Sequence, residues 1–192
     1  MPPHNPAQPA NETLELIRLI GELSYHRSEV PFKLSSGRMS HHFIDLKPAA
    51  LHPLGSKLIA NMMLHHLRDL SPELIGGVES GGIPLVAAIC ALSPIHLFRG
   101  AFFVRKQAKG HGTDKLLDGM FFGGAKVVLV EDVTTTGGSV LRAAEAIRGA
   151  GGNLTHVLTV IDREEGATEA LRANDLTLVP LLKLSDLKIL DK

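Results

Sequence analysis

The chain has a single cysteine, no excess of either charge and no apolar run long enough to cross a membrane. Each shortage removes a class of protein. Cys90 alone cannot close an intrachain disulfide, which suits a reducing compartment. It lies in the apolar run Pro84-Leu85-Val86-Ala87-Ala88-Ile89-Cys90-Ala91-Leu92 and reads as a small buried hydrophobe rather than a nucleophile. Twenty Lys and Arg balance twenty Asp and Glu, so the overall charge points to neither nucleic acid nor an anionic membrane, although a local basic patch stays open. No segment approaches the roughly 20 apolar residues of a membrane helix. Met1-Pro2-Pro3-His4-Asn5-Pro6 lacks the basic and apolar regions of a signal peptide, so residues 1–10 read as a disordered tail and the protein as cytoplasmic. Internal repeats are absent. The ten histidines include the adjacent pairs His41-His42 and His65-His66, whose members point in different directions. Without a Cys/His/Asp cluster at ligand spacing, no zinc site is expected.

At 192 residues the chain fits one domain over residues 11–192, with hood elements at about 11–50 and a core at about 51–192. Asn11 can cap a helix carrying Leu14, Leu16, Ile17, Ile20 and Leu23. Residues 32–35 alternate as a short strand, Ser36-Gly37-Arg38 is a turn, and residues 43–46 form a second strand. A helix begins near Pro53, with Leu54, Leu58, Met62 and Leu67 on one face. Strands are then expected at 74–78, 102–104, 127–130, 155–161 and 176–182, the last at an edge that tolerates Pro180. Helices are expected between them, including a short one at about 167–172. Residues 107–118 are too polar to be buried. Strands alternating with helices imply an α/β fold, a parallel sheet covered on both faces.

The richest stretch is Val127-Val128-Leu129-Val130-Glu131-Asp132-Val133-Thr134-Thr135-Thr136-Gly137-Gly138-Ser139-Val140. A buried parallel strand ends in two carboxylates, and a turn of hydroxyls and glycines leads into a helix. Ligands bind at that end of the strands in open α/β sheets. Gly137 and Gly138 let the backbone approach a phosphate, and the hydroxyls and helix N–H groups can hold a dianion. The carboxylates cannot favourably face that phosphate, so they suit sugar hydroxyls. A ribose 5-phosphate fits both. A Walker B reading fails because no Gly-x4-Gly-Lys-Ser/Thr loop precedes it, and no Rossmann Gly-x-Gly-x-x-Gly is present.

Other segments carry chemistry. Arg105, Lys106, Lys109 and His111 place four cationic groups within seven residues, on a loop that Gly110 and Gly112 make mobile. Alone this reads as a solvated loop; beside a sugar-phosphate site it reads as a lid for a leaving pyrophosphate. Arg163, in Asp162-Arg163-Glu164-Glu165-Gly166, follows the strand next to the acidic one, where a guanidinium can bind a carboxylate bidentately or the acids can cap a helix. Glu79-Ser80-Gly81-Gly82 is a glycine-rich turn suited to a pyrophosphate or its metal. Phe43 can stack on a flat base, although a lone Phe is more often core.

The stretch around Glu131-Asp132 resembles the phosphoribosyl diphosphate (PRPP) signature of type I phosphoribosyltransferases. With Ser36-Gly37-Arg38-Met39-Ser40, Arg105-Lys106-x-x-Lys109-x-His111 and Asp162-Arg163-Glu164-Glu165-Gly166, residues 32–166 resemble the orotate phosphoribosyltransferases. The resemblance implies the type I fold: a central parallel sheet flanked by helices, with a small N-terminal hood lobe. It implies transfer of the 5-phosphoribosyl group of PRPP to orotate, giving orotidine 5-phosphate and pyrophosphate in pyrimidine (UMP) biosynthesis. By the same resemblance, Arg105, Lys106, Lys109 and His111 contact the pyrophosphate, Glu131 and Asp132 the ribose, and Val133, Thr134, Thr135, Thr136, Gly137, Gly138 and Ser139 the 5-phosphate. Lys109, His111 and Asp132 are the implied catalytic residues, and Thr135, Arg163 and Phe43 the orotate-binding ones. Mg2+ is expected, bound mainly through PRPP. A homodimer whose lids act across subunits is implied, with no nucleic-acid or membrane partner. Some relatives carry Lys where this chain has Ser35, Gly81 or Gly82. Two rivals are a purine-using transferase of the same fold and a non-enzymatic PRPP-sensing regulator of nucleic acid, which would need a basic surface or an added DNA-binding domain.

Overall fold

Strands buried on both faces need unbroken apolar runs, and residues 74–78 and 127–130 supply them, buried at every position. The computed structural model describes residues 8–33, 37, 39–107 and 116–187. Its elements run α1 (Gln8–Leu23), β1 (Tyr25–Lys33), β2 (Met39–Ile44), α2 (Lys47–Leu51), α3 (Pro53–Leu70), β3 (Leu74–Val78), α4 (Gly82–Leu92), β4 (Gly100–Val104), β5 (Leu117–Gly119), β6 (Lys126–Thr134), α5 (Gly138–Gly149), β7 (Asn153–Asp162), α6 (Ala167–Arg172), β8 (Thr177–Lys183) and α7 (Leu184–Leu187). The main sheet has the order β5-β4-β3-β6-β7-β8. Every pairing is parallel except β4 with β5. From β3 the chain proceeds outward to β4 and β5, then returns to β6 on the other side of β3. The order therefore reverses between β3 and β6, and a crevice opens at the carboxyl ends of those strands.

Alternation along β6 sorts its side chains between two cores. Val128 and Val130 join Ile75 and Leu158 under α1, α3 and α4, where Leu16, Ile20, Leu67 and Ile89 are buried. Val127 and Leu129 join Leu74 and Val157 under α5 and α6, against Val140, Ile147 and Leu171. Each such aliphatic side chain contributes about 1.5–3 kcal/mol by leaving water. The hairpin β1–β2 forms a separate two-stranded sheet. It is joined to the core beside Ser24, whose carbonyl accepts from Asp45 N–H (3.0 Å) and whose hydroxyl accepts from Ala49 N–H (3.1 Å).

Several elements depart from expectation. Helix α1 starts at Gln8, so Asn11 lies inside it and is not its cap; Pro9 is acceptable in a first turn. Strand β1 is much longer than 32–35, but its pairing with β2 slips between Arg27 and Phe32, around Pro31, which has no N–H for the ladder. Strand β2 begins at Met39 rather than Phe43. Strand β5 lies partly in the polar stretch read as loop, because a three-residue edge strand needs only the outer backbone of β4 and no apolar run. Cys90 is exposed, not buried. Helix α4 is apolar at nearly every position, so composition could not tell its core face, with Leu85, Val86 and Ile89, from its solvent face.

Candidate active site

Strand β6 continues to Thr134, past the two carboxylates at which it was expected to end. The acids therefore obey strand alternation and leave on opposite faces of the sheet. Glu131 points to the α5 side and is 4% exposed. Its Oε2 accepts from Ser139 Oγ (3.2 Å), and its Oε1 accepts from Asp132 N–H (3.1 Å). Burial, reinforced by the neighbouring Asp132 carboxylate, holds the Glu131 pKa well above the usual carboxylate range. Asp132 points to the α4 side. Its Oδ1 accepts from Val133 N–H (2.8 Å), and its carboxylate lies over Gly81, where any Cβ would collide with it. The pyrophosphate-type turn thus packs directly on an acid of the signature.

Gly137 takes a left-handed φ of 81° as the N-cap of α5, a conformation that favours glycine, and it starts the helix immediately after the threonines. Thr135, Thr136, Gly138 and Ser139 are half-buried around that helix end. The first-turn N–H groups have no intrahelical acceptor and so suit an anion. Thr134 is buried, with its hydroxyl donating to Ile161 O at 3.5 Å. It supports the strand end, and its hydroxyl is turned from the helix N-terminus.

The root of the cationic segment is anchored. Arg105 donates from Nε (3.1 Å) and Nη2 (3.0 Å) to Asp118 Oδ2 on β5, with its guanidinium 5.5 Å from the Phe103 ring centroid. Lys106 N–H donates to Glu79 Oε2 (2.9 Å), tying this segment to the turn after β3. A cavity of about 250 Å³ there is bounded by Glu79, Arg105, Lys106, Ser139 and Arg142 among others. Lys109 and His111 lie outside the described residues.

Arg163 follows β7, and its N–H donates to Thr134 O (2.9 Å), which sets it beside the phosphate turn. Its side chain is only 3% exposed. Nε donates to Glu165 Oε1 (2.8 Å), while Nη2 donates to Ser40 Oγ (3.2 Å) and His42 O (3.0 Å) on the hood. Core and hood therefore meet at this guanidinium. Phe43 is not brought to it. Alternation along β2 puts Phe43 on the face opposite Ser40, where its ring packs against Phe32 (5.5 Å between centroids) and His26 (6.4 Å). The hood contacts of Arg163 and the role of Glu165 as its partner were missed from sequence. A usable signal existed, since an arginine at a buried strand end needs a carboxylate, and Glu165 is two residues away.

A sheet whose order reverses at β3 and β6, with an acid pair and an anion-binding helix end at that crevice and a hairpin lobe above it, is the type I phosphoribosyltransferase fold. A family model described as a phosphoribosyl transferase domain matches residues 50–178. An orotate phosphoribosyltransferase of Rhodopseudomonas palustris (strain BisB18) is 44% identical over 180 residues, spanning 89% of this chain and 93% of that protein. Two crystal structures of Mycobacterium tuberculosis H37Rv orotate phosphoribosyltransferase superpose well. The complex with Fe(III) dicitrate has a TM-score of 0.79 at 38% identity, and the complex with PRPP 0.76 at 36%, each covering 92% of this chain and 98% of that one. The chain belongs to the orotate phosphoribosyltransferase family.

Proposed function

We infer that the chain transfers the 5-phosphoribosyl group of PRPP to orotate, releasing pyrophosphate and forming orotidine 5-phosphate for pyrimidine biosynthesis. The observation that carries the base preference is Arg163, a guanidinium held at the end of β7 beside the phosphate turn. Orotate brings a carboxylate to meet it; a purine does not.

The anomeric carbon of PRPP passes from pyrophosphate oxygen to orotate nitrogen, with oxocarbenium character in between. Catalysis is then positioning plus stabilisation of the charge gathering on pyrophosphate, and no covalent nucleophile is required. Residues 135–139 hold the 5-phosphate, and Glu131 and Asp132 accept from the ribose hydroxyls. Lys109 and His111, with Arg105 and Lys106 at the base of their loop, draw off the pyrophosphate. Thr135 and Arg163 line the base subsite. Mg2+, bound mainly through PRPP oxygens and water, would supply charge neutralisation to the pyrophosphate. Among the described residues no three His, Cys, Asp or Glu side chains are grouped to hold a metal. A homodimer with each lid serving the neighbouring site, working in the cytoplasm, completes the proposal.

The test is loss of orotate absorbance on mixing with PRPP and Mg2+, run beside uracil, adenine and hypoxanthine. Turnover of a purine but not of orotate overturns the reading. Arg163→Ala should raise the orotate KM by roughly tenfold or more, the loss of a charge-assisted contact, while the PRPP KM moves little. Equal losses for both substrates would remove Arg163 from the base subsite.

A further inference from the structure

The hydrogen bonds of Arg163 leave one part of its guanidinium unused. Nε is committed to Glu165, and both donors of Nη2 are committed to the hood, to Ser40 Oγ and His42 O. Nη1 carries the remaining two donors, and neither has a partner among the described residues. A buried cation with a single unengaged amine has a defined direction of action, provided the rest of the fork is fixed.

Glu165 supplies that fixation. It is the carboxylate paired with Arg163, at 2.8 Å, and its own side chain is 16% exposed. Its other oxygen, Oε2, is the one buried side-chain nitrogen or oxygen without a hydrogen-bond partner among the described residues. A bare buried carboxylate oxygen carries a desolvation cost with no return from protein contacts. Among the described residues only Arg163 Nε holds this carboxylate, and no other acid is paired with the guanidinium. The two side chains form a unit at the seam between the strand end and the hood. Arginine has a long, rotatable stem. Without Glu165 the head would be held by two neutral oxygens alone, on a hairpin that is itself a separate small sheet.

We propose that Glu165 is a positioning residue for orotate: by clamping Arg163 Nε it fixes the guanidinium so that Nη1 is presented to the base. This deepens the orotate reading and rests on it. Glu165 touches no substrate. Its effect reaches the reaction only through Arg163, so it should appear in recognition of the base and not of PRPP.

Steady-state kinetics of Glu165→Ala, Glu165→Gln, Arg163→Ala and the Glu165→Ala/Arg163→Ala double variant, with melting temperatures for each, test this. The expected result is an orotate KM raised about tenfold in Glu165→Ala and less in Glu165→Gln, whose amide oxygen still accepts from Nε without the charge. The PRPP KM should stay within about twofold. The double variant should be no worse for orotate than Arg163→Ala, because two residues acting through one contact are not additive. An orotate KM that is unchanged or lower in Glu165→Ala, parallel rises for both substrates, or additive losses in the double variant overturn the proposal. If Arg163→Ala leaves the orotate KM unchanged, the base-subsite reading falls and the proposal with it; if Arg163→Ala raises it and Glu165→Ala does not, the proposal alone falls. Should Glu165→Ala not fold, the nearly isosteric Glu165→Gln carries the comparison.

Discussion

Replacing Gly81 by alanine tests the packing of the pyrophosphate turn on the signature acid. Gly81 has φ −68° and ψ −32°, a helical conformation that alanine adopts without strain. On backbone grounds the change should stabilise by about 0.4–1 kcal/mol. The added Cβ, however, falls onto the Asp132 carboxylate. Asp132 must turn away and give up the bond its Oδ1 accepts from Val133 N–H, or the turn must move. Overpacking of this kind costs about 1–3 kcal/mol. Water reaches the half-buried Asp132 and recovers part of the lost bond, so once the backbone gain is set against the overpacking cost the net destabilisation is at most about 2.5 kcal/mol. For a chain of this length that is a fall in Tm of at most roughly 10 °C. A larger effect is expected on activity. A ribose bond to a displaced carboxylate forfeits about 1.5–3 kcal/mol, so kcat/KM for PRPP should drop roughly tenfold to a hundredfold. The assay is initial-rate orotate consumption at varied PRPP, beside a thermal melt. In an Asp132→Ala background the obstacle is gone, and Gly81→Ala should cost little more. Wild-type kcat/KM in Gly81→Ala, or an undiminished loss in the Asp132→Ala background, would refute the reasoning.

Glu131→Gln should stabilise the protein while weakening PRPP binding by roughly tenfold or more, since one of the two oxygens that can accept from the ribose hydroxyls becomes an NH2 donor. The folded protein binds the Glu131 proton more tightly than the unfolded chain does, because burial and then Asp132 disfavour the anion. The stability supplied by neutral Glu131 is complete below the ordinary carboxylate pKa and is lost as pH rises through the elevated folded value. The Tm advantage of Glu131→Gln should therefore be small near pH 4.5 and widen toward alkaline pH; a gap independent of pH between 4.5 and 8 contradicts it. Lys109→Ala should lower kcat at least a hundredfold with an unchanged melting curve, as expected when a cation acting on transition-state charge is removed; turnover within a few-fold of wild type would remove the lid from the mechanism.

Elements that report their environment through composition were legible before the structure. Residues 74–78 and 127–130 are apolar without alternation because parallel strands are covered twice, and both lie within strands of the sheet, as does 155–161 with its polar start at Thr155 and His156. The acid pair and the glycine turn were legible because strand-end chemistry needs particular residue types. What failed was direction. Cys90 sits in a run with no polar face to break the symmetry, so sequence could not show that it faces solvent. Phe43 is aromatic and near the site in sequence, yet the phase of β2 turns it to Phe32 and His26. Arg105 reads as a lid cation, and the brace on its guanidinium, Asp118, lies on a strand too short and too polar to foresee. Glu165 looked like a capping acid because its partner could be identified only once Arg163 was known to be buried.

The opposite headings of Glu131 and Asp132 constrain how a sugar can be held. Two adjacent carboxylates on a strand cannot lie side by side on one face, so a ribose meeting both must sit across the strand end rather than on either surface of the sheet. That position lies at the junction of three groups already linked to one another. Glu131 accepts from Ser139 in the first turn of α5, so the phosphate-binding helix end and one ribose acid share a hydrogen bond. Asp132 packs on Gly81 in the turn after β3, and Glu79 of that turn accepts from Lys106 at the root of the lid. Arg163 joins the phosphate turn to the hood through Thr134 O, Ser40 and His42. On the proposed assignment each substrate group would meet a segment bonded to the segment receiving the next. A 5-phosphate held at α5 would orient Ser139 and with it Glu131, and a ribose against Asp132 would set the anomeric carbon between the turn after β3 and the base. Proximity would then arise from the shared end of β6, where both acids and the phosphate-binding helix end meet.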